Sequence, residues 1–270
     1  MDYDNVLCSL VSWAKNIDNV RCIVLTGSAG SGAAHPLSDR DLEIHLRDSA
    51  ILESDDSWWE SFGDVLAVER LENSNGQPTR IVYYVGGKLD FTLVDVGDER
   101  GIYDRPFTVL LDKDGEAADF RTATQLLLPP DQVAFDECVN WAYAAALMIA
   151  KAIVRDEPWS AKFRDNDLKV ELLRMIEWDH IVRYNGKRDV RYLGTRMRQW
   201  MDSDIQQKLE ECWAHFDLRD SQRALYASLS LFSQVSSRIA ASAGLTDFHH
   251  ASIRLEIDRI LATVSEDGSK

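Results

Sequence analysis

The hydrophobic period of the chain changes once, at the segment LLLPPDQ spanning residues 126–132. Two adjacent prolines stop whatever regular structure precedes them, and Asp131 can cap a helix that follows. Before this point apolar residues alternate with polar ones or run in short blocks, the pattern of strands. After it they recur at helical spacing. The chain is therefore expected to be α+β: a mixed β-sheet domain with flanking helices over residues 1–130, then an α-helical bundle over residues 131–270. With 270 residues and 45% hydrophobic content, it can fill two such cores.

Within the first part, Val6, Leu7, Leu10, Val11 and Ala14 fall at helical spacing, and CIVLTG reads as a buried strand ending at a glycine turn. The run DLEIHL alternates Leu42, Ile44 and Leu46 against Asp41, Glu43 and His45. SDDSWWESFG predicts a capped helix beginning near Ser54 to Ser57, and strands are expected at VLAVER, RIVYYVG and KLDFTLVDV, with NSNGQPT as a hairpin turn. In the second part, Val139, Tyr143, Leu147, Ala150 and Val154 form one stripe. Leu168, Leu172, Met175 and Ile176 form another, and residues 221–243 carry a third. The polar tail SEDGSK is expected to fray.

Charge narrows the partners. A net charge of −15, from 45 acidic and 30 basic residues, repels nucleic-acid backbones and attracts cations, whether metal ions or polycationic small molecules. Cys8, Cys22, Cys138 and Cys212 are scattered without metal-ligand spacing, which suits a reduced intracellular protein. No apolar run approaches the ~18 residues of a membrane span, and the N-terminal residues are wrong for a signal peptide. The expectation is a soluble, cytoplasmic protein with no nucleic-acid or membrane partner, a monomer or weak dimer.

The chemistry gathers around LTGSAGSGAAHPLSDRDLEIHL. Asp39 and Asp41, two apart on a strand, project to the same side with Cα atoms roughly 6 to 7 Å apart. Such like charges persist in open water or around a cation. Asp90 sits among apolar residues of another expected strand, where an unpaired carboxylate is costly to desolvate. If the two strands are neighbours, three carboxylates converge, and hard oxygen ligands beside a phosphate substrate point to Mg²⁺. A metal so held can bridge nucleotide phosphates and activate an attacking hydroxyl. Gly27 lets backbone approach closely, the Ser28 hydroxyl and nearby N–H groups can cradle phosphate oxygens, and Gly30 and Gly32 extend the loop.

This arrangement resembles the nucleotidyltransferase superfamily, whose pattern is Gly-Ser, a loop of about ten residues, Asp-x-Asp on the next strand and a third carboxylate on a later one. Here it reads Gly27, Ser28, Asp39, Asp41 and Asp90. Within it the chain is most similar to the aminoglycoside 6-adenylyltransferases, also called streptomycin adenylyltransferases. The likeness continues through LLDKDG, FDECVNWAYAAALMIAKAIVRDE, ELLRMIEW and GKRDVRYL, in the family's order. The resemblance implies a nucleotidyltransferase-type sheet and transfer of AMP from ATP to a hydroxyl of an aminoglycoside, with release of pyrophosphate. By the same resemblance Asp39 and Asp41 are metal ligands, and Ser28 and Ser38 contact nucleotide phosphates. Asp90 either completes the metal site or takes the proton of the attacking hydroxyl. Lys187 resembles a basic residue that reaches the triphosphate across an interdomain cleft. Lys151 and Arg155, one helical turn apart, are second candidates. Trp141, and Asp179 beside Trp178, are placed near an acceptor.

The chain also departs from the family pattern. Ala29 stands where an arginine is expected after Gly-Ser, and around Asn140 an acidic residue followed by paired aromatics is replaced by Trp141, Tyr143 and Ala144. The first removes a phosphate or structural contact, and the second bears on the acceptor rather than on the chemistry. Two alternatives accompany the reading: a nucleotidyltransferase with another acceptor, such as a lincosamide, another small molecule or a protein, and a non-catalytic nucleotide-binding protein. His249 and His250 are expected to be a surface pair.

Overall fold

The computed structural model describes residues 1–30, 35, 37–97, 101–123, 127–190 and 193–263. The position of Gly32 and the tail SEDGSK lie outside the described residues. The chain is α+β and divides into two compact units, Met1–Gln125 and Leu126–Lys270.

The first unit begins with α1 (Tyr3–Lys15), whose N-terminus is capped by the Asp2 carboxylate accepting from the Asn5 amide at 3.2 Å. There follow β1 (Val20–Leu25), the single turn α2 (Gly27–Gly30), β2 (Arg40–Leu46), α3 (Ser49–Ser54), β3 (Val65–Glu72), β4 (Pro78–Tyr84), β5 (Gly87–Asp95), β6 (Ile102–Tyr103), β7 (Thr108–Asp112) and β8 (Arg121–Thr122). Among the described residues a six-stranded sheet runs β3-β4-β5-β2-β1-β7, and β6 pairs with β8 beside it. The sheet is mixed because β2 and β5 are parallel while its other neighbours are antiparallel. Alternation explains its two faces. Leu42, Ile44, Leu89, Phe91 and Leu93 point into a core shared with Leu10 and the aromatics Trp58, Trp59 and Phe62. Those tryptophans belong to a 3₁₀ turn, Trp58–Phe62, rather than to the longer helix their flanking sequence suggests. The hairpin at Asn73–Gln77 closes as expected: Asn73 Oδ1 accepts from the amides of Asn75 and Gln77, the local bonding that suits asparagine to turns.

The second unit contains α4 (Gln132–Val154), α5 (Pro158–Tyr184), α6 (Met197–Trp200), α7 (Ser203–Glu211), α8 (Leu218–Ala243) and α9 (His250–Ala262). Asp131 caps α4, accepting from the Ala134 amide at 2.8 Å. Phe135, Val139, Ala146 and Ile149 of α4 meet Leu168, Leu172 and Ile176 of α5 and Phe232 and Val235 of α8 in one core. Contrary to the expectation that no apolar run is long enough, α4 has the length and composition of a membrane span among the described residues. With 56% of its most apolar window buried inside the protein, it serves as the central helix of this core. All four cysteines are free, and Cys8 differs from the other three in being exposed.

Candidate active site

The β2–β5 pairing decides the geometry. Its parallel register sets Asp41 directly opposite Asp90, so both side chains leave the same face of the sheet. Asp39 lies one residue ahead of β2 rather than within it, yet keeps the parity of Asp41. The structure thus sets the three carboxylates on one face, without gathering them as closely as metal ligands, and adds a fourth group. Lys88, two residues before Asp90 on β5, reaches Asp39. Its Nζ lies 2.6 Å from Asp39 Oδ2 and 3.1 Å from Asp90 Oδ2. On the opposite face of β5, Leu89, Phe91 and Leu93 are buried in the core beneath this polar cluster.

Electrostatics follow from burial. Asp90 is 21% exposed, and burial pushes its carboxyl up to about 6 even though Lys88 pulls the other way; Asp41 and Asp39 add to the rise. Its Oδ1 is buried and has no hydrogen-bond partner among the described residues. Burial also raises Asp41, with Asp39 adding and Lys88, Arg105 and Arg40 opposing. Burial works against the Lys88 ammonium, but its bonds to Asp39 and Asp90 hold it above its usual value. Lys88 and Arg105 are the groups that sequence reasoning missed. The signal for Lys88 was present, since it lies two residues before Asp90 and must share its face.

The Gly-Ser turn packs against this cluster. Thr26 donates its amide to the Asp41 carbonyl at 2.8 Å, tying the end of β1 to β2. Gly27 then takes φ +63°, and a methyl group there would fall on the Asp41 carboxylate, with Cγ only 2.9 Å away. Ala29 packs against the apolar core where a longer side chain was expected. Ser38 is turned toward its own loop: its hydroxyl accepts from the His35 amide at 2.9 Å and its carbonyl from Arg40 at 2.7 Å. Among the described residues no three His, Cys, Asp or Glu side chains are drawn together closely enough to hold a metal ion. The donor set nonetheless fits a hard divalent cation, being all carboxylate with one buried oxygen unpartnered.

The site residues expected in the second unit are scattered within it. Lys151 on α4 and Lys187 after α5 are exposed, and Trp141 is 61% exposed on α4. Asp179, expected near an acceptor, is instead 1% exposed. Its oxygens accept from Arg183 Nε at 2.9 Å and from Arg238 Nε and Nη2 at 2.6 and 2.8 Å. Beside it Asp202 accepts from Tyr184 and Arg188, and gives its own amide to His180 Nε2 at 3.0 Å. His180 is fully buried and pairs through Nδ1 with the Ile176 carbonyl, and burial lowers its pKa, which fixes a neutral ring. His250 corrects the surface-pair expectation: it is part-buried, pairing with the Tyr143 hydroxyl and, at 3.0 Å, with Asp247. His249 is exposed.

Comparison with known proteins bears on this geometry. A family model described as streptomycin adenylyltransferase matches residues 2–254. An aminoglycoside 6-adenylyltransferase of Campylobacter jejuni is 26% identical over 253 residues, covering 88% of this chain and 86% of that one. Proteins of the same name from Staphylococcus aureus and Bacillus subtilis are 27% and 26% identical, covering 66% and 65% of this chain and 70% and 68% of their own. A match running through both units, over a Gly-Ser turn and three carboxylates in the expected order, places the chain among the nucleotidyltransferases: it belongs to the streptomycin adenylyltransferase family.

Proposed function

We propose that the chain is a Mg²⁺-dependent O-adenylyltransferase that moves AMP from ATP to a hydroxyl of an aminoglycoside of the streptomycin type, releasing pyrophosphate and conferring resistance. The observation that carries the reading is the in-register pair Asp41 and Asp90, with Asp39 on the same face. The names of the relatives supply the acceptor class, and a net charge of −15 favours encounter with a polycation.

Asp39 and Asp41 would hold the metal with Asp90 beside them, and the bound cation would neutralise phosphate charge and acidify the acceptor hydroxyl. Asp90 is the group suited to take the hydroxyl proton. Its Oδ1 has no hydrogen-bond partner among the described residues, and burial raises its pKa before any cation is bound, which leaves it basic enough for the task. As the proton leaves, the hydroxyl oxygen bonds to the α-phosphorus and the bond to the β-phosphate oxygen breaks, with its electron pair departing on pyrophosphate. Gly27 and Ser28 would line the phosphates, with Ser38 fixing the loop before Asp39. Lys187 and Lys151 are proposed phosphate ligands, and the exposed ring of Trp141 a proposed acceptor contact. Asp179 is taken up by Arg183 and Arg238 and is not assigned an acceptor contact.

The test is pyrophosphate release from ATP and Mg²⁺, with and without streptomycin, for the wild type and Asp41→Asn. Release should need streptomycin and fall by on the order of 10³-fold in the variant. Substantial activity in Asp41→Asn would sink the ligand assignment. Asp41-dependent release with a different hydroxylated acceptor, and none with streptomycin, would trace the change to the segment around Asn140 and Trp141.

A further inference from the structure

We infer that Lys88 is the resident counter-ion of the carboxylate cluster: its ammonium holds Asp39, Asp41 and Asp90 together before a divalent metal arrives, and it gives up Asp39 when the metal binds. This rests on the proposed metal site and concerns how that site is kept ready.

Three carboxylates from one end of a parallel strand pair repel one another, and a fold that keeps them together needs a positive charge among them. The β2–β5 pair supplies it, because Lys88 lies two residues before Asp90 on β5 and its ammonium reaches Asp39. The Nζ bridges Asp39 and Asp90 across the strand pair, at 2.6 and 3.1 Å, with the lysine only 22% exposed. That is a cross-strand clamp rather than a solvated surface charge.

The clamp also competes with coordination through Asp39. Its Oδ2 is engaged by the ammonium, and the carboxylates are not gathered as ligands among the described residues. A metal that uses Asp39 Oδ2 displaces Lys88. A lysine can yield where an arginine fork would not, because it is a point charge on a flexible stem. It also has somewhere to go: its Nζ already lies 5.7 Å from the ring centroid of Tyr83, its cross-strand neighbour on β4, within reach of a cation–π contact. Meanwhile Asp90 Oδ1, which the ammonium does not engage, has no hydrogen-bond partner among the described residues. Lys88 is thus a positioning residue that competes with the metal it prepares for.

A merely structural lysine and a competing one predict opposite changes in metal affinity. The experiment titrates Mn²⁺, by electron paramagnetic resonance, into wild type, Lys88→Met and Lys88→Arg, and records melting of each in EDTA and in Mn²⁺. Lys88→Met should melt several degrees below wild type in EDTA, recover in Mn²⁺, and bind Mn²⁺ about tenfold or more tightly. Lys88→Arg should keep the wild-type EDTA melting point and bind Mn²⁺ more weakly. If Lys88→Met does not fold, Lys88→Gln, which also lacks the charge, carries the same expectations. Unchanged or weaker Mn²⁺ binding in the uncharged variant, with the wild type binding normally, overturns the inference and leaves the metal site standing. Absence of Mn²⁺ binding to the wild type, with and without ATP, overturns both.

Discussion

Replacing Gly27 by alanine tests the site through its least chemical member. The residue sits at φ +63°, where a side chain costs about 1–2 kcal/mol. The added methyl also falls on the Asp41 carboxylate. Asp41 cannot retreat as a residue, because its carbonyl is held by the Thr26 amide and its strand is paired on both sides. Only the carboxylate can swing, and ordinary contact requires its nearer oxygen to move by about 1.5 Å, more than the ~1 Å misplacement that already costs on the order of 100-fold in a positioned reaction. Stability should fall far less, by about 3–6 °C in melting temperature. Pyrophosphate release and thermal melting, measured on the same preparation, separate the two. A Gly27→Ala variant that keeps more than about a third of wild-type turnover would refute the reasoning, since the Asp41 carboxylate would not then need to stand where the turn confines it.

Two further predictions concern the second unit. Burial pushes Glu177 up to about 7, against a backbone hydrogen bond from Gly194 and the charge of Arg174. Because its folded pKa is above its ordinary value, the group opposes folding increasingly as pH rises from about 4.5 to 7, and constantly above that. Glu177→Gln should flatten that decline and gain about 1–2 kcal/mol at pH 8 once solvent screening is allowed for, measured by urea unfolding across pH; a profile parallel to wild type would refute it. Asp179→Asn removes the negative charge between Arg183 and Arg238 and should cost about 3–5 kcal/mol of stability while leaving the acceptor KM of the surviving folded enzyme near wild type. A fully stable variant with a raised acceptor KM would put Asp179 in contact with the acceptor instead.

Much of the site was legible because its spacing is local. A strand's period of two fixes that Asp39 and Asp41 share a face, and the same rule puts Lys88 beside Asp90. What the sequence leaves open is which strands are neighbours. Asp41 meets Asp90 only because β5 crosses to lie parallel to β2, and no pattern within either strand states that. The need for Gly27 is similarly non-local, since the atom that excludes a side chain there belongs to Asp41. The fold was legible for a related reason: the prolines at 129 and 130 separate two periods, and each period is a property of a few consecutive residues. The 3₁₀ turn at Trp58–Phe62 escaped that logic, because its aromatics answer to the packing of Trp13 and Phe91 rather than to a helical repeat.

The acceptor side resists sequence reasoning for the converse reason. In the helical unit an acidic residue beside a tryptophan reads as a cation-binding pair, yet Asp179 is consumed by an arginine 59 positions away on another helix. A carboxylate on a helix has several possible partners on the neighbouring helices, and a one-turn difference decides between solvent and core. His250 makes the same point, drawn inward by Tyr143 from 107 positions away. In the proposed reaction, chemistry rests on strand register, which two or three residues specify, whereas the proposed acceptor contacts depend on helix packing, which whole cores specify. On the proposed reading, a change at Trp141 can therefore alter the acceptor while the carboxylates, carried by β2, β5 and the loop before β2 and paired with Lys88, keep the same transfer step available to a different hydroxyl.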